Sequence, residues 1–207
     1  MTLIPALAAY LAAASLLTVT PGLDTAMVLR TAAVEGRRPA ALAALGIGVG
    51  CLIWGLVVAL GLGVLLAASH TAYTVLKWAG AAYLAWLGIN LLVRPRKSFD
   101  LAAQRQTGGG NWWLRGLMTN LLNPKIGVFY VSFLPQFVPA GFAAAPFILL
   151  LAAIHFILGL IWATGLILAA GSLRGWLQRG AVVQWLDRVT GAVFLGFGLR
   201  LALAERA

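Results

Sequence analysis

The chain has 207 residues, 62% of them hydrophobic and only 10% charged. Soluble domains are nearer half apolar and a quarter charged, so a water-soluble globule is excluded and one compact membrane domain is expected. The net charge of +10 could suit nucleic acid, but no basic groove with aromatic stacking positions is visible, and no nucleic-acid partner is expected.

Six segments approach the roughly 20 apolar residues that a membrane span requires. The first runs from about Leu3 to Leu29 and is interrupted at Pro21-Gly22. No basic residue precedes it and Arg30 follows it, so it reads as a retained span rather than a cleavable signal peptide. The second covers about Ala40 to Ala68, and the third about Thr74 to Val93. On the second, Gly46 and Gly50 form a small-residue pair that permits close helix approach, within the chain or between subunits. A polar connection carrying Arg94-Pro95-Arg96-Lys97 and Gly108-Gly109-Gly110 follows. The fourth span, about Trp113 to Phe137, is interrupted at Asn123-Pro124. Beyond Pro135 and Pro139, the fifth covers about Ala143 to Ala170 and the sixth about Val183 to Leu203. Trp112, Trp113, Trp176 and Trp185 stand near proposed ends, where indole prefers the headgroup level.

Eleven of the fifteen Lys/Arg residues fall in or beside the first, third and fifth connections. They are Arg30, Arg37 and Arg38; Arg94, Arg96, Lys97, Arg105 and Arg115; and Arg174, Arg179 and Arg188. Positive charge marks the cytoplasmic side, so both termini are expected outside. The halves also match weakly but in order. Pro21 pairs with Pro124, Leu52-Ile53-Trp54 with Leu160-Ile161-Trp162, and Gly80-Ala81 with Gly191-Ala192. With three spans each, the halves enter from opposite sides. The expected fold is an all-α polytopic membrane protein of six helices in a 3+3 inverted repeat. Its single domain spans residues 1–207, with repeat 1 over about 1–93, a cytoplasmic loop over about 94–112 and repeat 2 over about 113–207.

The two breaks carry the chemistry. Proline removes a backbone donor and clashes one turn back, and an interrupted helix in a membrane is tolerated only inside protein or beside a wet cavity. An ionisable residue accompanies each break: Asp24 after Thr20-Pro21-Gly22, and Lys125 after Asn123-Pro124. Charges at such depth mark routes for ions or substrates, and paired broken helices mark a transporter site. A zwitterion fits this arrangement: half-helix amides or Lys125 would receive a carboxylate, and Asp24 with loose carbonyls an ammonium. Asp24 could also carry a proton. The structural alternatives are that Asp24 caps its half-helix or pairs with Lys125. Asn120, one turn before Pro124, is expected to recapture a freed backbone group. His155 is either a satisfied buried histidine or a proton relay or substrate contact. Gln136 either lines the external mouth or caps a helix end. Cys51, the only cysteine, reads as a small packed hydrophobe.

At these residues the sequence resembles the lysine-exporter (LysE/RhtB) family of bacterial amino-acid exporters. The matching stretches are Thr20-Pro21-Gly22-Leu23-Asp24, Gly80-Ala81-Ala82-Tyr83-Leu84-Ala85-Trp86-Leu87-Gly88, Asn120-Leu121-Leu122-Asn123-Pro124-Lys125, Phe133-Leu134-Pro135-Gln136-Phe137 and Leu186-Asp187-Arg188-Val189-Thr190-Gly191-Ala192. Leu23 stands where the family commonly has a second proline. The resemblance implies export of amino acids or close derivatives from a bacterial inner membrane, driven by the proton motive force, with no cofactor and no enzymatic reaction. It carries the motif to Pro21, Gly22, Asp24, Asn123, Pro124 and Lys125. Lysine, threonine, homoserine, its lactone and leucine are substrates in the wider family. Neutral amino acids are favoured here, because Asp24 is the one obvious buried acid. The expected partners are an amino acid, protons and the lipid bilayer, with a homo-oligomer left open. A metal-cation exporter lacks the thiolate or imidazole cluster that soft metals favour. A non-transporting scaffold would leave the acid and base beside the breaks unexplained.

Overall fold

The computed structural model describes residues 2–20, 22–68, 70–95, 110–170 and 179–203. Pro21, the connection residues Arg96, Lys97 and Arg105, and Arg174, Trp176 and Arg206 lie outside the described residues. The described chain is helical, with no strand. Its helices are α1 (Leu3–Val19), α2 (Leu23–Val34), α3 (Arg37–Ala68), α4 (His70–Val93), α5 (Trp112–Leu121), α6 (Pro124–Phe133), α7 (Ala144–Leu168) and α8 (Gly180–Leu203), with a 3-10 turn at Leu134–Phe137.

Both interruptions fall where proline dictates. A residue preceding proline is pushed out of the helical region by the proline ring. Thr20 is accordingly extended (ψ 118°) after α1, and Asn123 is extended (ψ 107°) before α6. Pro124 then occupies the opening of α6, where its missing N–H costs nothing. α1 and α2 meet at a bend of 50°. The next turn has a different cause. Gly36 has φ +99°, which L side chains rarely adopt, and its amide donates to Thr31 O at 3.0 Å. This left-handed cap ends α2 and lets α3 reverse direction from Arg37.

α3 is the axis of the bundle. It packs along α5 and α7, α4 packs along α8, and α2 lies against α3 and α7. Small residues make the α3–α5 contact close. A Cβ on Gly46 would collide with the Trp113 carbonyl oxygen, and one on Gly116 with that of Ala43. Gly50 leaves the space taken by the Asn120 amide. The Gly46/Gly50 pair therefore serves a seam inside the chain. A second close approach joins α4 to α8, where a Cβ on either Gly88 or Gly191 would lie 2.7 Å from the other's carbonyl oxygen.

The largest buried cluster is aromatic. Tyr10, Phe129, Tyr130, Phe133 and Phe137 are fully or almost fully enclosed, and Phe133 and Phe137 stand 6.2 Å apart. Tyr10 buries its hydroxyl by donating to Leu151 O at 2.7 Å, which ties α1 to α7. The outward surface is apolar as well: Leu56, Val57, Leu60, Ile157, Ile161, Trp86 and Trp185 are all exposed. Water solvates such a belt poorly, and lipid does not. Among the described residues, two helices are long and apolar enough to cross a membrane, at Arg37–Gly61 and Ala144–Leu168, or three spans if the bent α1–α2 pair counts as one.

The seams make a stability prediction with opposite signs. Gly46→Ala and Gly116→Ala should each destabilise by about 1–3 kcal/mol through overpacking. Gly165, with nothing within 4 Å of a built Cβ, should gain slightly as alanine, by up to about 1 kcal/mol. Thermal unfolding of the detergent-purified variants measures all three. Equal stability across the set would refute the close seam.

Candidate functional site

The two breaks close on one another. Asp24 sits in the first turn of α2, and its carboxylate accepts from side-chain amides that belong to the other break. Asn120 Nδ2 donates to Asp24 Oδ2 at 2.8 Å, and Asn123 Nδ2 donates to Asp24 Oδ1 at 3.4 Å. Lys125 reaches the opposite way. Its Nζ donates to Leu17 O at 3.3 Å and to Thr20 O at 3.2 Å, carbonyls at the end of α1.

The placement follows from the physics of helix ends. The last four carbonyls of a helix have no intrahelical partner, and the end carries partial negative charge. A lysine ammonium supplies both the donors and the opposite sign. The start of α2 carries partial positive charge, and the Asp24 carboxylate complements it. Thr20 helps to close α1: its hydroxyl donates to Leu16 O at 2.6 Å and accepts from Thr190 on α8. Asn123 is the N-cap of α6, its Oδ1 accepting from Lys125 N at 3.1 Å. Gly22 caps α2 with no side-chain hydrogen bond.

A cavity lies between the breaks. The space open to the centre of a water-sized sphere is about 70 Å³, several times the roughly 10–15 Å³ that one water requires. α1 and α2 contribute Leu17, Thr20, Gly22, Asp24 and Val28 to its wall; α6 contributes Asn123 and Lys125. α3 contributes Ile47, Gly48 and Cys51, and α7 contributes His155, Phe156 and Trp162. Phe156 lies over Gly48, where any Cβ would collide with its ring. His155 falls near the middle of the 25-residue α7, so the cavity sits at mid-length of a span, the depth at which carriers bind substrate.

Of the residues singled out from the sequence, Thr20, Gly22, Asp24, Asn123, Lys125 and His155 share this cavity wall. Pro124 starts α6 between two of them. Asn120 is fully buried behind the wall. Contrary to expectation, its side chain does not recapture a backbone group; it donates to Asp24 and, at 3.4 Å, to Cys51 Sγ. Nor does Asp24 cap α2, since Gly22 holds the N-cap position. Gln136 is remote from the cavity, in the 3-10 turn, where its amide donates to Ser132 O at 2.7 Å. His155 is anchored by a 2.9 Å hydrogen bond between Nδ1 and the Tyr130 hydroxyl.

Sequence reasoning missed several participants. Cys51, read as inert packing, is on the cavity wall and accepts from Asn120. Tyr130 and Thr190 carry contacts that no local pattern announces, although Thr190 stands inside one of the matched stretches. Asp187 was also passed over as a buried acid: it is fully enclosed on α8, away from the cavity wall. Among the described residues, no three His, Cys, Asp or Glu side chains gather to hold a metal.

A charged cavity between two interrupted helices, in a protein with an apolar exterior, defines a helical membrane protein of the small-solute carrier type. A family model for the LysE type translocator matches residues 15–205. The chain belongs to that family. It is 34% identical over 200 residues to a homoserine/homoserine lactone efflux protein of Salmonella typhi, covering 96% of this chain and 97% of the relative. It is 32% identical over 191 residues to a threonine efflux protein of the same organism, covering 89% and 91%. An uncharacterized membrane protein, YrhP, of Bacillus subtilis (strain 168) is 27% identical over 207 residues, covering 96% and 99%. No solved structure matches the chain.

The exchange of partners between the breaks is testable through Asn123. Asn123→Ala removes the α6 cap and one donor to Asp24, and should destabilise by about 1–2 kcal/mol. Asn123→Asp keeps a capping oxygen but sets a second carboxylate beside Asp24, and should lose comparable stability at neutral pH through like-charge repulsion. Thermal unfolding of both variants measures the two losses. An Asn123→Asp protein as stable as the parent would show that the Asp24 contact contributes nothing.

Proposed function

We propose that the protein exports small neutral amino acids or close derivatives, of the threonine, homoserine and leucine type, across a bacterial inner membrane, driven by the proton motive force. The observation that carries this reading is the cavity with Asp24 on one wall and Lys125 on another, one from each break. A zwitterion presents an ammonium and a carboxylate at fixed separation. Asp24 receives the first; Lys125 and the uncapped start of α2 receive the second. Among the described residues, Asp24 is the only acid on the cavity wall, which favours one positive charge on the substrate over two. The buried Asp187 lies elsewhere and does not alter that count. Family membership and the names of the efflux relatives support transport over enzymatic chemistry.

The architecture that goes with this function is the six-span inverted repeat. In it, α1–α2 and α5–α6 are the two broken spans, and α3, α4, α7 and α8 the unbroken ones. The first half occupies residues 1–93 and the second 113–207 of one transporter domain, with both termini outside by the placement of basic residues. Coupling follows from competition for one carboxylate. Asp24 binds either a substrate ammonium or a proton, so inward return of the proton alternates with outward passage of the amino acid.

Cells expressing the protein, loaded with amino acids or dipeptides, should release a narrow set of amino acids, and a protonophore should abolish that release. Asp24→Asn and Lys125→Met each remove a charged hydrogen-bonding partner, and should lower release about 10- to 100-fold. A scaffold would be indifferent to both substitutions. Unchanged release of every amino acid tested would remove this function.

A further inference from the structure

Behind the cavity wall sit buried polar groups that the export reading does not use. Asn120 Nδ2 donates to Cys51 Sγ at 3.4 Å, and the Tyr130 hydroxyl meets His155 Nδ1 at 2.9 Å. Four helices contribute: α5, α3, α6 and α7. The direction of the Tyr130–His155 bond follows from donor strength. A phenol is a stronger donor than an imidazole N–H, and an imidazole nitrogen a better acceptor than a phenol oxygen, so the Tyr130 O–H is assigned to His155 Nδ1. In a neutral imidazole with Nδ1 accepting, the proton resides on Nε2. Tyr130 and Phe129, both buried, pack against the ring with centroids at 5.6 and 5.7 Å and hold its orientation.

His155 itself is on the cavity wall. Among the described residues its Nε2 has no protein partner, yet it is not among the side-chain atoms sealed away from solvent without one. The cavity is where it opens. Around it the wall is largely apolar, through Leu17, Val28, Ile47, Phe156 and Leu166.

We propose that His155 reads the side chain of the substrate. Its Nε2–H is a fixed donor, kept in that tautomer by Tyr130, and it selects amino acids whose side chain carries an oxygen over hydrocarbon analogues of the same shape. The proposal rests on the export reading and narrows it: Asp24 and Lys125 hold the groups common to all amino acids, and His155 tests the part that differs. A donor lined up in a small cavity loses its water to any occupant. A hydroxyl or carbonyl oxygen restores the lost hydrogen bond; a methyl group leaves the donor unpaired.

Two substrate pairs differ only by hydroxyl against methyl, homoserine with norvaline and threonine with valine. The experiment measures the release ratio within each pair, in cells or proteoliposomes, for the parent and three variants. The parent should favour the hydroxylated member. His155→Phe keeps a ring and removes the donor, and should cut the ratio by about 2- to 12-fold, the span of one ordinary hydrogen bond. Tyr130→Phe frees the tautomer and should cut it part of the way. His155→Gln retains an N–H donor and should stay above His155→Phe. Ligand-induced shifts in the unfolding temperature of purified protein, homoserine against norvaline, give the same comparison for any variant that inserts poorly. A parent ratio of one, or the same ratio in the parent and all three variants, overturns the role of His155 while leaving export standing. A parent that releases no amino acid overturns export, and this inference with it.

Discussion

Everything in this structure depends on how two broken helices satisfy one another. An interrupted helix exposes carbonyls on one side of the gap and amides on the other, and hydrocarbon offers neither a partner. Here the missing partners come from the opposite break. Lys125, from the second interruption, supplies an ammonium to the end of α1. Asp24, from the first, is held by amides that flank the second. Neither break could be buried alone without leaving unpaired groups, so the two halves of the chain are obliged to meet at this place. The glycines of the α3–α5 seam serve the same end. By letting α5 approach closely at Gly46 and Gly50, they bring Asn120 within reach of Asp24.

Meeting at this place also sets the depth of the cavity. Counted along a straight rod, Pro21 lies past the middle of its span and Pro124 near the middle, so straight helices would leave the two breaks at different depths. The 50° bend between α1 and α2 takes the first rod off that straight line. Both ends then converge beside Cys51 and His155, at mid-length of α3 and α7. A charge at that depth is costly unless it is paired or hydrogen-bonded, and every ionisable group on the cavity wall has such a partner.

The breaks themselves were legible in the sequence, because proline and glycine in an apolar run have few other meanings and Asp24 and Lys125 stand out against their neighbours. Helix boundaries were legible to within a few residues for the same reason. The facing of side chains was not. Helix faces are normally read from polar residues turned to water, but here the outer face is as apolar as the inner one, and that periodic signal vanishes. Asn120 was therefore assigned to its own backbone one turn away, when its partner lies 96 positions earlier in the chain. Cys51 looked inert because a lone cysteine in an apolar helix says nothing about an amide arriving from α5. Asp187 was overlooked although the expected sixth span contained it: Arg188 beside it, counted with the basic residues of the fifth connection, suggested a polar border, whereas Asp187 is fully buried on α8. Each miss concerns a contact across the two halves, which one sequence without its folded partner does not encode locally.

The mutual clasp has a consequence for the export reading. A site built to hold a zwitterion must keep its own charges satisfied when empty, since a naked carboxylate and ammonium inside a membrane would cost several kcal/mol each. On the proposed reading the internal amides and carbonyls do this, in the places that a substrate's ammonium and carboxylate would take. An amino acid would bring the same two functional groups, and so would exchange internal partners for external ones instead of creating new charge contacts from nothing. Binding by exchange is weak per contact, and that suits a carrier, which must release as readily as it binds. It also places discrimination outside the clasp, because groups common to every amino acid cannot distinguish one from another. Specificity then has to come from the wall that meets the side chain, formed by α3 and α7.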